Sequence, residues 1–183
     1  MTNKVFEHPS MKDKITVLKT SEDTGGEYIL VEVELKKGGG NPLHAHSTFN
    51  EEFIPVEGEL GIGLGKKNLR LNPGETAVAE INQWHRFYNP GEKTIRFQVK
   101  ITPAQDRFLE CMGINYGLAK DGLTNKEGIP KKLDHLALLL DHSDTKLKGV
   151  FSLIAPILLR RAKKVKRKGI AEALIKKYCK EAA

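Results

Sequence analysis

The chain has 183 residues, 39% hydrophobic and 29% charged, with 17 Gly and 8 Pro. That composition excludes a disordered or fibrous protein and fits one domain with an appendage. The net charge of +7 belongs to one end, since residues 141–183 hold 12 Lys/Arg against 4 Asp/Glu and leave residues 1–140 close to neutral.

Residues 1–26 read as an N-terminal segment with a first strand at 15–19, and His8 falls in a stretch expected to be mobile. This N-terminus mixes charges with isolated apolar residues and lacks the apolar core of a secretory signal, so a cytoplasmic protein is expected. Residues 27–102 form a series of short β-type segments separated by turn residues. Residues 27–36 alternate, with Ile29, Val31, Val33 and Leu35 on one face. Further strands are expected at 44–56, 60–64, 69–71, 76–79, 84–88 and 95–101, punctuated by Gly58, Asn72-Pro73-Gly74 and Asn89-Pro90-Gly91. Pro55 removes a ladder donor and marks an edge or a bulge. Gly61, Gly63 and Gly65 alternate with Leu60, Ile62 and Leu64 and leave one strand face bare, for either a roomier cavity or close packing by a neighbour. About eight or nine short strands with no intervening helix argue for a mainly β fold rather than a parallel α/β sheet.

Residues 103–183 have helical texture. Thr102-Pro103-Ala104-Gln105 reads as a helix start, predicting a helix over 103–115; a loop over 117–130, a helix over 131–141 and a helix from 150 with a break or restart at Pro156 follow. No stretch reaches the roughly 18 apolar residues of a membrane-spanning helix. Phe108, Leu109, Met112, Leu133, Leu136, Leu140, Phe151, Ile154, Leu158 and Leu174 recur at helical spacing and need a cover, either the barrel's outer face or a homodimer partner. Seven of the nine residues 160–168 are cationic. A solvated helix face is the first reading and a weak contact with an anionic surface the second; no specific nucleic-acid partner is expected, because the run lacks interleaved aromatics. His135 and His142 read as exposed or hydrogen-bonded, and Cys111 and Cys179 as buried, inert thiols.

The residues that carry chemistry lie in the β region. His44 and His46, two apart on a strand, point to one face. Glu51 follows after a Ser47-Thr48-Phe49-Asn50 bend, and His85 arrives from a distant strand, so a closed barrel can bring three imidazoles and one carboxylate together. Such nitrogen and oxygen donors suit one divalent transition metal with open positions for water or substrate. Phe53 shares a face with Glu51 and Phe87 with His85, which makes both candidate substrate-binding residues at the cavity wall. Trp84 should face away.

Together with Gly38, Gly58, Gly74 and Asn89, these four residues resemble the two motifs of the cupin superfamily. The resemblance implies a single conserved-barrel domain, a double-stranded β-helix (jelly roll) at 27–102 with a helical C-terminal extension at 103–183. It also implies a mononuclear metal, Fe, Mn, Ni, Cu or Zn, on His44, His46, Glu51 and His85. Where the second motif usually has Pro-x-Gly this chain has Glu80-Ile81-Asn82, and Asn82 can take the left-handed conformation in place of glycine. Cupin-like sites serve many reactions. The leading expectation is a metal-dependent, dioxygenase-like enzyme acting on a small organic substrate; a metal-dependent isomerase and a non-catalytic small-molecule-binding or sensor protein are the alternatives.

Overall fold

The structure, a computed structural model, describes residues 4–180, apart from the side chains of Leu147, Val150, Phe151 and Lys180. The Phe151 position of the expected helical stripe therefore lies outside the described residues. Eleven strands are described: β1 (Val5–His8), β2 (Asp13–Lys19), β3 (Ile29–Leu35), β4 (His44–His46), β5 (Asn50–Glu57), β6 (Leu60–Leu64), β7 (Lys67–Leu71), β8 (Ala77–Ala79), β9 (His85–Tyr88), β10 (Ile95–Thr102) and β11 (Thr145–Leu147). They form two antiparallel sheets, one in the order β1-β2-β3-β10-β5-β8 and the other β11-β4-β9-β6-β7. The fold is mainly β, a double-stranded β-helix with C-terminal helices.

Alternation builds the interior. Ile29, Val31, Val33 and Leu35 of β3 pair across β10 with Ile101, Val99, Phe97 and Ile95, and all eight side chains are buried. The bulge expected at Pro55 is present: the β5–β10 register shifts between Arg96 and Phe97, which faces Pro55, while β8 pairs only with residues 51–53. Glycine spacing on β6 resolves to close packing, since a Cβ on Gly61 would lie 2.4 Å from the Tyr88 ring.

Two boundaries differ from the sequence reading. Residues 1–26 hold two strands rather than one, and both belong to the six-stranded sheet. His8 is 1% exposed, not mobile, because β1 pairs with β2 and buries it. The extension over 103–183 is likewise not purely helical, as β11 pairs with β4, the strand that carries His44 and His46.

Four α-helices follow the barrel: α1 (Asp106–Lys120), α2 (Leu133–His142), α3 (Val150–Arg167) and α4 (Ile170–Ile175). Helix α1 starts three residues later than Pro103 because Thr102 is still paired with Asn50 in the sheet. It continues through Gly117, whose missing side chain admits the Tyr178 ring, 2.2 Å from where a Cβ would sit. Helix α3 runs unbroken past the exposed Pro156. Its stripe of Ile154, Leu158 and Ala162 keeps helical register across the proline and packs with Leu136, Ala137 and Leu140 of α2. The cationic run lies on α3 and its C-terminal end, where Arg161 pairs with Asp134 and Lys166 with Asp141, while Arg160, Lys163, Lys164 and Arg167 are exposed.

The helices do not simply coat the barrel's outer face. Phe108, Leu109 and Met112 of α1 pack against the main core, and Tyr116 is part of it. Fully burying a side chain of this size is worth about 1.5–3 kcal/mol, so the partly buried Phe108, Leu109 and Met112 each contribute a fraction of that. Truncation after Thr102 is therefore expected to give aggregated protein that binds a hydrophobic dye, whereas Lys163→Gln with Lys164→Gln should move the unfolding free energy by less than about 0.5 kcal/mol. Soluble, cooperatively melting truncated protein would contradict this packing.

Candidate metal centre and its cavity

His44 on β4 sits directly opposite His85 on β9, so two imidazoles come from one cross-strand pair. His46 adds the third from the same strand, and Glu51 reaches across from β5 of the other sheet. All four are buried, and their donor atoms lie within 4.8 Å of one another. Glu51 Oε2 is 2.8 Å from His85 Nε2 and 3.8 Å from His46 Nε2.

The supporting hydrogen bonds aim the rings. His44 Nδ1 lies 2.9 Å from the Pro42 carbonyl and His85 Nδ1 2.9 Å from the Gln83 carbonyl. In each ring the Nδ1–H donates outward, which leaves Nε2 for the cluster: free in His44, and hydrogen-bonded to Glu51 Oε2 in His85. His46 is held by rings instead, stacked on Phe49 at 4.2 Å and edge-on to Phe108 at 5.3 Å. Both its nitrogens are buried without a hydrogen-bond partner. An orphaned imidazole beside two more and a carboxylate fits a divalent cation and is poorly explained by packing alone. Asn82 has φ 63° as expected, and its N–H donates to the His46 carbonyl at 2.6 Å. Asp144 accepts from the Ser47 N–H and hydroxyl and from the Thr48 hydroxyl, which pins the turn after His46.

Electrostatics favour the ligating forms of His44, His46 and Glu51. Burial pushes His44 down to about 4 against the pull of Glu51, and burial lowers His46 as well, so both rings are neutral at pH 7. For His85 burial is outweighed by the hydrogen bond and charge of Glu51, and its pKa is raised. Burial also opposes ionisation of Glu51, but the His85 hydrogen bond and the surrounding imidazoles together bring its carboxyl down to about 2.

His44 and Glu51 open onto a cavity of about 270 Å³ between the two layers. Ile15, Val31, Val33, Phe87, Val99 and Ile101 supply its barrel wall; Phe108, Met112, Leu136, Leu139 and Leu140 of α1 and α2 supply the other. The helical extension is thus half of the pocket. Phe87 lines the cavity as its parity predicts, whereas the fully buried Phe53 packs behind it, 6.3 Å from Phe87 and 6.0 Å from the His85 ring. Trp84 faces away, under the Lys148 ammonium. Asn89 is structural: its side-chain amide donates to the Leu35 and Lys93 carbonyls.

The profile of the Cupin domain family matches residues 31–101, the segment that holds all four ligand candidates. That segment is a cupin domain. Among solved structures the fold is similar to an RmlC-like cupin from Shewanella frigidimarina, 19% identical, with 58% of this chain and 89% of that one covered at a TM-score of 0.50. KdgF from Halomonas sp. (18% identity; 55% and 87% covered; TM-score 0.49) and the polyketide cyclase RemF from Streptomyces resistomycificus (24%; 55% and 74%; 0.48) also match. At such identities the likeness is one of fold. No curated protein matches the chain.

Outside the cupin domain the structure contributes residues that the sequence reading passed over. Asp13, 5% exposed, sits on the inward face of β2 with Ile15 and Val17 and accepts a 2.6 Å hydrogen bond from Tyr116 of α1. The alternation was visible, but an Asp beside Lys14 reads as a strand boundary rather than a strand. His135 and His142 are buried rather than exposed, and the Nδ1 of each has no hydrogen-bond partner, although His142 Nδ1 lies 3.8 Å from the Asp141 carboxylate. Cys111 and Cys179 are buried free thiols, and burial pushes Cys111 up to about 12.

His46→Ala or His85→Ala should each lower bound divalent metal from about one per chain to near zero in elemental analysis; full occupancy in both variants would disprove ligation. Acid should release the metal as protons compete for the imidazoles, seen as metal loss in elemental analysis after dialysis at low pH. Burial, opposed by the Tyr116 hydrogen bond, raises the Asp13 pKa from 3.8 to about 6. The folded state then holds that proton more tightly than the unfolded chain, so this group's contribution to stability falls as pH rises through that window and is flat above it. Asp13→Asn, which cannot ionise, should therefore stabilise the fold at pH 7, by on the order of 3 kcal/mol at most, and change little at pH 4; chemical denaturation at both pH values measures the difference.

Proposed function

We propose that the protein is a metal-dependent enzyme that oxidises a small organic substrate with dioxygen. The observation that carries this reading is the convergence of three imidazoles and one carboxylate on the wall of a mostly apolar cavity large enough for a small molecule. A metal held by His44, His46, Glu51 and His85 would supply Lewis acidity and, if it is Fe, Mn or Cu, electron exchange with dioxygen. Glu51 brings one negative charge to the site, and the neutral His44 and His46 rings add none. Pro42 and Gln83 carbonyls orient two rings, while Phe49 and Phe108 clamp the third.

Residues of α1 and α2 give the cavity an apolar wall, and Phe87 offers a ring edge or face to a flat substrate beside His44. Apolar walls favour an uncharged substrate body and the uptake of dioxygen over water. Fe(II)-loaded protein is expected to consume oxygen with some members of a panel of catechols, β-diketones and small thiols, at a rate at least about a hundredfold above His46→Ala. An oxygen electrode reports this. Tight binding of such compounds to metal-loaded protein without oxygen uptake or product formation would favour the non-catalytic sensor instead.

A further inference from the structure

The cavity has a second polar pole. Asp13 and Asn115 line it together with His44 and Glu51, and each keeps one buried side-chain oxygen without a protein partner. Asp13 occupies the inward stripe of β2 that Ile15 and Val17 continue, where an apolar residue would pack without penalty. Its Oδ2 takes the Tyr116 hydroxyl at 2.6 Å, and its Oδ1 is left over. That bond also uses up the Tyr116 proton, so both leftover atoms are acceptors in need of a donor. The charges at the cavity point the same way: Glu51 and Asp13 lie inside, the exposed Glu127 also belongs to the lining, and no Lys or Arg lines it among the described residues.

We infer that Asp13, positioned by Tyr116, is a substrate-binding residue that accepts a hydrogen bond from a hydroxyl or protonated amine of the ligand, whose other end reaches the metal. The inference rests on the metal-dependent reading of the site and narrows its substrate class to molecules with a metal-binding head, a short apolar body and a donor tail. A tail carrying a carboxylate or phosphate is excluded by repulsion from Asp13. Asn115 serves as the second acceptor, and Met112 and Ile15 of the lining suit the apolar body between the two poles.

The test uses the full-length, metal-loaded protein and three series of straight-chain hydroxamic acids, matched in length, ending in methyl, hydroxyl or amino. The hydroxamate supplies the metal-binding head, and the series spans several chain lengths. By titration calorimetry, at one length or more the hydroxyl-ended or amino-ended compound should bind roughly tenfold or more tightly than its methyl-ended match. The two donor series separate a hydroxyl tail from a cationic one. Asp13→Asn keeps an acceptor for Tyr116 and the side chain's size, so it should retain metal and bind the methyl-ended compounds as before while losing the preference. Tyr116→Phe, which retains the carboxylate but loses the bond that holds it, should weaken the preference without abolishing it. No donor preference at any length, or a preference that survives Asp13→Asn, would overturn the inference while metal-dependent binding of the methyl-ended series, lost in His46→Ala, left the metal reading standing. If no hydroxamate binds, the metal end fails and the inference falls with it.

Discussion

Glu51 reaches from the six-stranded sheet to three imidazoles of the five-stranded sheet, and the rest of the architecture is arranged around keeping that meeting dry. A buried carboxylate is tolerable only when it is paired or ligated, and here burial alone pushes Glu51 toward its neutral form. The sheets therefore have to present His85 at hydrogen-bonding distance before any ion arrives. A metal at this point would tie both layers of the sandwich together through one ion, so its binding free energy would also resist separation of the layers.

The cupin domain alone does not complete the pocket. Its own strands provide one wall, and the second wall comes from α1 and α2, which lie outside the segment matched by the family profile. Because the apolar residues of α1 contribute both to the main core and to the cavity lining, the extension determines pocket shape as well as stability. Two relatives with the same four ligands and different extensions would thus hold different small molecules, in line with the many functions one barrel supports.

The parts legible in the sequence were those with a period or a spacing. Alternation in residues 29–35 and 95–101 located the central strands, and the intervals among His44, His46, Glu51 and His85 located the candidate metal centre. What escaped had other causes. The three residues of β11 are too few to show a pattern, and their strand character comes from docking against β4 rather than from local preference. Gly117 reads as a helix end, yet its role is to admit Tyr178, a contact invisible without the third dimension. Asp13 carries the alternation of β2 with the wrong polarity, so a rule that sorts apolar residues inward skips it. Pro156 misleads in the opposite sense, since an exposed proline removes one hydrogen bond without interrupting the apolar stripe.

The pairing of β11 with β4 protects more than local geometry. In the order β11-β4-β9-β6-β7, the ligand strand would be the margin of its sheet if β11 were absent, with unpaired backbone groups beside His44 and His46. Such a margin is a template for a strand from another molecule. The chain fills it from within, using a segment held between α2 and α3 and fastened by the Asp144 bonds to Ser47 and Thr48. Strand addition beside His44 and His46 is thereby blocked by the same polypeptide that walls the cavity, so covering that margin and closing the cavity are one structural act.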